Sequence, residues 1–173
     1  RLRPEDHPRH LVKNNPKPLE NHMRTINLNK KIDAPRQVIW DILADFANIA
    51  VWNRGIKESH STSDAANGVG ASRHCDLGPA GELDETIREW EPNERMAVSI
   101  DAATKAPIKG ARGTFLLTGD DAGPIDVALQ FDYSPKGGPI GNLFGKVLDK
   151  QFTKSFHGYL NDLESTAMQR STA

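Results

Sequence analysis

Two short stretches hold the side chains best placed to do chemistry. In Arg73-His74-Cys75-Asp76-Leu77, strand alternation puts Arg73, Cys75 and Leu77 on one face and His74 and Asp76 on the other. The apolar members mark the first set as inward. His74 is thereby turned away from Cys75, and a thiol nucleophile needs a base within hydrogen-bond reach. Cys75 is read as a small buried wall residue. From Glu82 the logic repeats, with Leu83, Glu85 and Ile87 opposed to Asp84, Thr86 and Arg88. If Leu83 and Ile87 are inside, so is Glu85, and a carboxylate among apolar groups must be paired, hydrogen-bonded or protonated. Arg73 has the same inward parity on the neighbouring strand and is its expected partner. Two readings stay open, a structural ion pair or a polar handle for a ligand's hydroxyl, carbonyl or carboxylate. Glu85 is also the one candidate catalytic residue, as a general acid or base.

Other chemistries find little support. His60, His74 and His157 are scattered, with no H-x-x-x-H or C-x-x-C spacing, so neither a metal site nor a cofactor is expected. No G-x-S-x-G elbow occurs. Gly68-Val-Gly70-Ala-Ser-Arg73 fails the dinucleotide fingerprint at its last position. Gly137-Gly138-Pro139-Ile140-Gly141 opens a helix and reads as a hinged rim rather than a phosphate loop. Phe46 and Trp52 read as core aromatics closing the sheet's edge.

The elements that must position these residues follow from periodicity. Thr25–Asp33 alternates Ile26 and Leu28 against polar neighbours, with Ile32 resuming the same face, which is a strand. Asp33-Ala-Pro35 reads as a helix entrance with an Asx residue able to cap. Val38, Ile39, Ile42, Leu43 and Phe46 then mark a helix over about 35–46, followed by a short one near 47–52. Turn signals at Asn67-Gly68, Gly78-Pro79, Glu91-Pro92-Asn93, Lys105-Ala-Pro107 and Asp120–Pro124 divide 56–134 into six candidate strands of an antiparallel meander. A long amphipathic helix is predicted over about 140–166. Phe144, Leu148, Phe152, Ser155, Tyr159 and Leu163 form its stripe, with Lys146, Asp149, Lys150, Lys154 and Asp162 mostly off it.

A chain of 173 residues is one domain, able to bury roughly 70% of its unfolded surface. Its composition, 37% apolar and 26% charged, is that of a globular protein. With 22 basic against 23 acidic residues, no cationic excess exists to neutralise phosphates, so nucleic acid is not an expected partner. No apolar run approaches the ~20 residues of a membrane span. One cysteine excludes an internal disulfide and fits a reducing compartment, hence a cytoplasmic location. Residues 1–22 carry four of the eleven prolines and only four apolar residues, and cannot build a core. They read as a disordered leader or an expression-derived extension, with 23–168 the single folded domain and 169–173 a flexible tail.

The order β-α-α-β-β-β-β-β-β-α resembles the helix-grip fold of the SRPBCC/START-like superfamily. Ile32-Asp-Ala-Pro-Arg-Gln-Val-Ile-Trp-Asp-Ile-Leu-Ala-Asp-Phe46, with Trp52-Asn53 and Ile56, is similar to the opening of its polyketide cyclase/dehydrase and lipid-transport group. Gly70-Ala-Ser-Arg73 and Gly81–Arg95 resemble later sheet segments of that group. The resemblance implies an α+β fold: a seven-stranded curved antiparallel sheet wrapped around the C-terminal helix, two short helices after strand 1, and a cavity between sheet and helix. It also implies that Leu77–Gly81 is a gate-like loop, and that Glu85 matches a pocket glutamate of the plant-hormone receptors.

On this reading the cavity takes a small hydrophobic molecule, a lipid, polyketide or aromatic compound. Its sheet walls are Cys75, Leu83, Ile87, Val98, Phe115, Leu129 and Phe131. Its helix wall is Phe144, Leu148, Phe152, Ser155 and Tyr159. Arg73 and Glu85 orient the ligand's polar end. The expected role is a carrier or binding protein, acting as a monomer or homodimer. One alternative is a cyclase, aromatase or dehydratase moving protons with Glu85, Tyr133 or Tyr159. The other is a co-chaperone or toxin-type interaction module, which would have a filled core.

Overall fold

A computed structural model describes residues 23–172, the side chains of 138–143 excepted; the leader assigned to 1–22 lies outside the described residues. The alternating stretch forms β1 (Arg24–Ile32), followed by α1 (Arg36–Ala44) and a 3₁₀ segment (Phe46–Val51). β2 (Glu58–Ser61), β3 (Ser72–Asp76), β4 (Glu82–Glu91), β5 (Arg95–Ala103), β6 (Ile108–Thr118) and β7 (Ile125–Pro135) are the six strands predicted from the turn signals. α2 (Gly138–Ser171) ends the fold and carries regular helix into the stretch read as a tail. All strands are antiparallel in one sheet, ordered β1-β7-β6-β5-β4-β3-β2. This is the helix-grip fold. No described helix is long and apolar enough to cross a membrane.

The helix entrance differs from its prediction. Pro35 occupies the N-cap of α1 and no side chain caps it. Its carbonyl accepts from the amides of Val38 and Ile39 at 3.0 and 3.2 Å. The fixed φ of proline sets the first turn without an Asp33 cap.

Residues directly opposite across an antiparallel sheet share a face. The inner face therefore has a row that runs Arg73, Glu85, Ile100, Ala111, Tyr133, Arg24, from β3 across to β1. Its polar members sit at the two ends. A neighbouring row, Ile87, Val98, Gly113, Phe131 and Ile26, is apolar throughout. The main core lies where these rows meet α1 and the C-terminal half of α2, through Ile39, Ile42, Phe46, Leu160 and Leu163. A second cluster gathers Ile26, Ile108, Phe131, Tyr133 and Leu148 under the first turns of α2.

β4 breaks register between Asp84 and Glu85 and again between Ile87 and Glu89. The second break is a bulge, where one extra residue flips the alternation. Glu89 turns outward to Arg95 and Arg112. Trp90 turns inward onto Trp40 of α1, with ring centroids 4.9 Å apart.

Candidate functional site

The parity argument for the two chemical stretches holds in space. β3 and β4 pair Arg73 with Glu85 and Cys75 with Leu83. Arg73 Nε donates to Glu85 Oε2 at 2.7 Å; the Arg73 side chain is buried and that of Glu85 largely so, 8% and 13% exposed. Arg73 Nη1 donates to the Phe46 carbonyl at 2.6 Å, and its guanidinium lies 3.9 Å from the centre of the Phe46 ring. The 3₁₀ segment after α1 thus supplies both an acceptor and a π face to the buried cation. Cys75 Sγ donates to Glu85 Oε2 at 3.6 Å.

Aromatic rings close around this pair. Tyr159 of α2 stacks on Phe115 at 5.4 Å and meets Trp52 edge-to-face at 5.0 Å. Trp52 Nε1 is fully occluded and has no hydrogen-bond partner among the described residues. Glu85 Oε1, Arg73 Nη2 and Tyr159 Oη also lack a hydrogen-bond partner among them. Leu28, Leu83, Ile100, Ala111, Phe156 and Tyr159 are only half-buried although they belong to the inner face or to the helix above it.

Protonation follows from these surroundings. Burial pushes the Cys75 thiol up to about 12, against the pull of Arg73. Burial likewise raises the Tyr159 phenol. Burial alone would lower Arg73, but Glu85 more than offsets it and the guanidinium is held above its ordinary value. At neutral pH the thiol and phenol are protonated donors, and no nucleophile is activated. Among the described residues, no three His, Cys, Asp or Glu side chains converge as metal ligands.

The remaining wall residues divide. Ile87, Val98 and Leu129 are sealed into the main core. Phe131, Phe152 and Leu148 gather at the opposite end of the inner face, where Phe131 meets Phe152 at 5.3 Å and Phe156 at 4.6 Å. Two helix assignments are corrected. Phe144 is 59% exposed and Ser155 is exposed. At 100° per residue both fall just outside the Leu148 edge of the packed stripe, roughly 90–105° from its centre; the stripe's members are Leu148, Phe152, Phe156, Leu160, Leu163 and Ala167. At the turn of Phe144 the inward place belongs to Gly145, against which the Arg24 guanidinium packs; a Cβ there would lie 2.7 Å from Arg24 Nη1.

Sequence reasoning missed a polar knot at this second end. Asp149, read as off the stripe, points inward and pairs with Arg24 of β1. Tyr133 Oη donates its one proton to Asp149 Oδ1 at 2.7 Å, with the Gly145 carbonyl oxygen 3.2 Å away. Burial, with Asp149, pushes this phenol up to about 12. The four-residue spacing of Gly145 and Asp149 was the available signal, but nothing local placed Arg24 opposite them. Asp162, also read as outside the stripe, is 5% exposed and holds the amide and guanidinium of Arg54. Two surface depressions lie apart from Arg73 and Glu85. One, about 280 Å³, is lined by Pro107, Lys136, Phe144, Val147 and Leu148; the other, about 290 Å³, by Pro35, Arg36, Gln37, Asn93 and Asp121.

Known proteins place this geometry in context. The fold superposes on the Zhui aromatase/cyclase from Streptomyces sp. R1128 with a TM-score of 0.73 and 16% identity, covering 86% of this chain and 96% of that one. A START superfamily protein from Mycobacterium smegmatis gives 0.70 and 14%, over 84% and 97%. A protein from Thermus thermophilus gives 0.69 and 15%, over 86% and 99%. At such identities the likeness is one of fold. No curated protein matches by sequence. The family model described as polyketide cyclase / dehydrase and lipid transport matches residues 23–167, nearly all of the described chain, and the protein belongs to that family.

Proposed function

We propose that this protein binds a small apolar or aromatic molecule between the concave sheet and α2, as a carrier or binding protein. Arg73 and Glu85 hold the polar end of the molecule. The observation that carries this reading is the set of polar atoms on Glu85, Arg73 and Tyr159 without a hydrogen-bond partner among the described residues, with the Phe46 ring against the guanidinium and Trp52 and Phe115 against the Tyr159 ring. Polar groups deep in a protein are ordinarily satisfied, and a few convergent ones within an apolar lining are what orient a ligand.

Native mass spectrometry of protein purified from its own host tests the reading. A co-purifying apolar molecule, lost from an Arg73→Ala/Glu85→Ala double variant, supports it. An empty protein that also excludes aromatic probes refutes it. If turnover of a poly-carbonyl substrate is found and Glu85→Gln abolishes it while binding persists, the cyclase alternative replaces carriage.

A further inference from the structure

We infer that the ligand's polar end is uncharged and presents a hydroxyl, alone or beside a carbonyl, rather than a carboxylate. This rests on the binding role proposed above and narrows its ligand class.

Charge balance is the first reason. Arg73 is the cation of the site, and it is already committed to Glu85 at 2.7 Å, to the Phe46 carbonyl and to the Phe46 ring. The buried pair sums to zero. A carboxylate entering beside it would leave one uncompensated negative charge in a low-dielectric site, next to the Glu85 carboxylate. A neutral head meets no such penalty.

The second reason is the complement of free atoms. Glu85 Oε1 can only accept, and so needs a donor. Arg73 Nη2 can only donate, and so needs an acceptor. Tyr159 Oη can do either, and its phenol stays protonated because burial raises it. A carboxylate offers acceptors alone and leaves Glu85 Oε1 unsatisfied. A hydroxyl gives a hydrogen to Glu85 and takes one from Arg73 or Tyr159. The aromatic lining of Phe46, Trp52, Phe115 and Tyr159 suits a planar body behind that head.

Three probes with one two-ring body separate the possibilities: naphthalene, 2-naphthol and 2-naphthoate, titrated calorimetrically at pH 7. The expected order places 2-naphthol about tenfold or more tighter than 2-naphthoate, a difference of about 1.4 kcal/mol. In Glu85→Gln the negative charge is gone and Arg73 is freed, so the preference inverts toward 2-naphthoate. Tyr159→Phe preserves the charge balance and tests the site should Glu85→Gln fail to fold. It is expected to weaken 2-naphthol several-fold and to weaken naphthalene much less. Equal or tighter binding of 2-naphthoate by the wild type overturns the inference while leaving carriage intact, as does a Tyr159→Phe variant with unaltered 2-naphthol affinity. If none of the three binds, the binding role itself falls and the inference with it.

Discussion

Truncating either partner of the Arg73–Glu85 pair strands a charge. Arg73→Ala leaves the Glu85 carboxylate among apolar side chains and takes the donor from the Phe46 carbonyl. Breaking a buried pair this way costs about 3–5 kcal/mol, and the lost cation–π contact with Phe46 adds about 1 kcal/mol. For a domain of this size each kcal/mol lowers Tm by roughly 2–4 °C, so a fall on the order of 10 °C is expected. Glu85→Ala should cost a similar amount by leaving the guanidinium unpaired. Replacing both, as Arg73→Met with Glu85→Leu, removes the two charges together and keeps the volume. Its cost should stay near 1–2 kcal/mol, set by the Phe46 carbonyl left without a donor. Urea unfolding followed by far-UV circular dichroism on the wild type, Arg73→Met, Glu85→Leu and the double variant gives a coupling energy of about 3 kcal/mol or more. Single variants that each lose under 1 kcal/mol, or losses that simply add, would show that water reaches the pair and that burial was misjudged.

Further tests follow from protonation and occlusion. Cys75 is fully buried with its thiol raised to about 12, so aromatic disulfide reagents at pH 8 should react only as fast as the protein opens, and rapidly in denaturant. His74 is raised above 6.5, chiefly by its hydrogen bond to Asp84 at 2.7 Å. Its folded-state midpoint, read by NMR titration, should exceed 6.5 and fall toward it in Asp84→Asn; any stability the contact gives is present at low pH and lost as pH rises through that midpoint. Asp149 is held below 3.8, first by the hydrogen bond from Arg24. Its contribution is therefore complete above that value and lost as pH falls beneath it. The Tm gap between wild type and Asp149→Asn should be widest at neutral pH and should close in acid. A gap constant across that range would show that the carboxylate charge contributes nothing.

Legibility in the sequence followed the reach of each contact. Strand parity found Arg73 facing Glu85 because β3 and β4 pair in regular register at that point. Past Ile87 the same rule misplaces Glu89 and Trp90, since the bulge adds a residue that no local composition announces. On α2 a stripe spaced by four gathers Phe144, but at 3.6 residues per turn such a row rotates off the packed face. Arg24 and Asp149 are 125 positions apart, and their contact depends on β1 pairing with β7, the strand that leads into α2. The family was readable because its motifs are turns and packing positions; the ligand was not, because it is read by atoms left unpaired.

Among the described residues the sheet is open at both sides, and its two margins are unlike. β2 is four residues of Glu, Ser and His, too brief to template another chain, whereas β1 runs for nine. Along β1 the solvent-facing Asn27, Asn29 and Lys31 alternate with the inner residues, and Lys30 is tied to Glu164 and Asn161 of α2. Lysine on an unpaired rim is a known deterrent to edge-to-edge docking between molecules. Substituting Lys30 and Lys31 by valine would remove that deterrent, and the first symptom would be fibrillar aggregation rather than any change in what the protein binds.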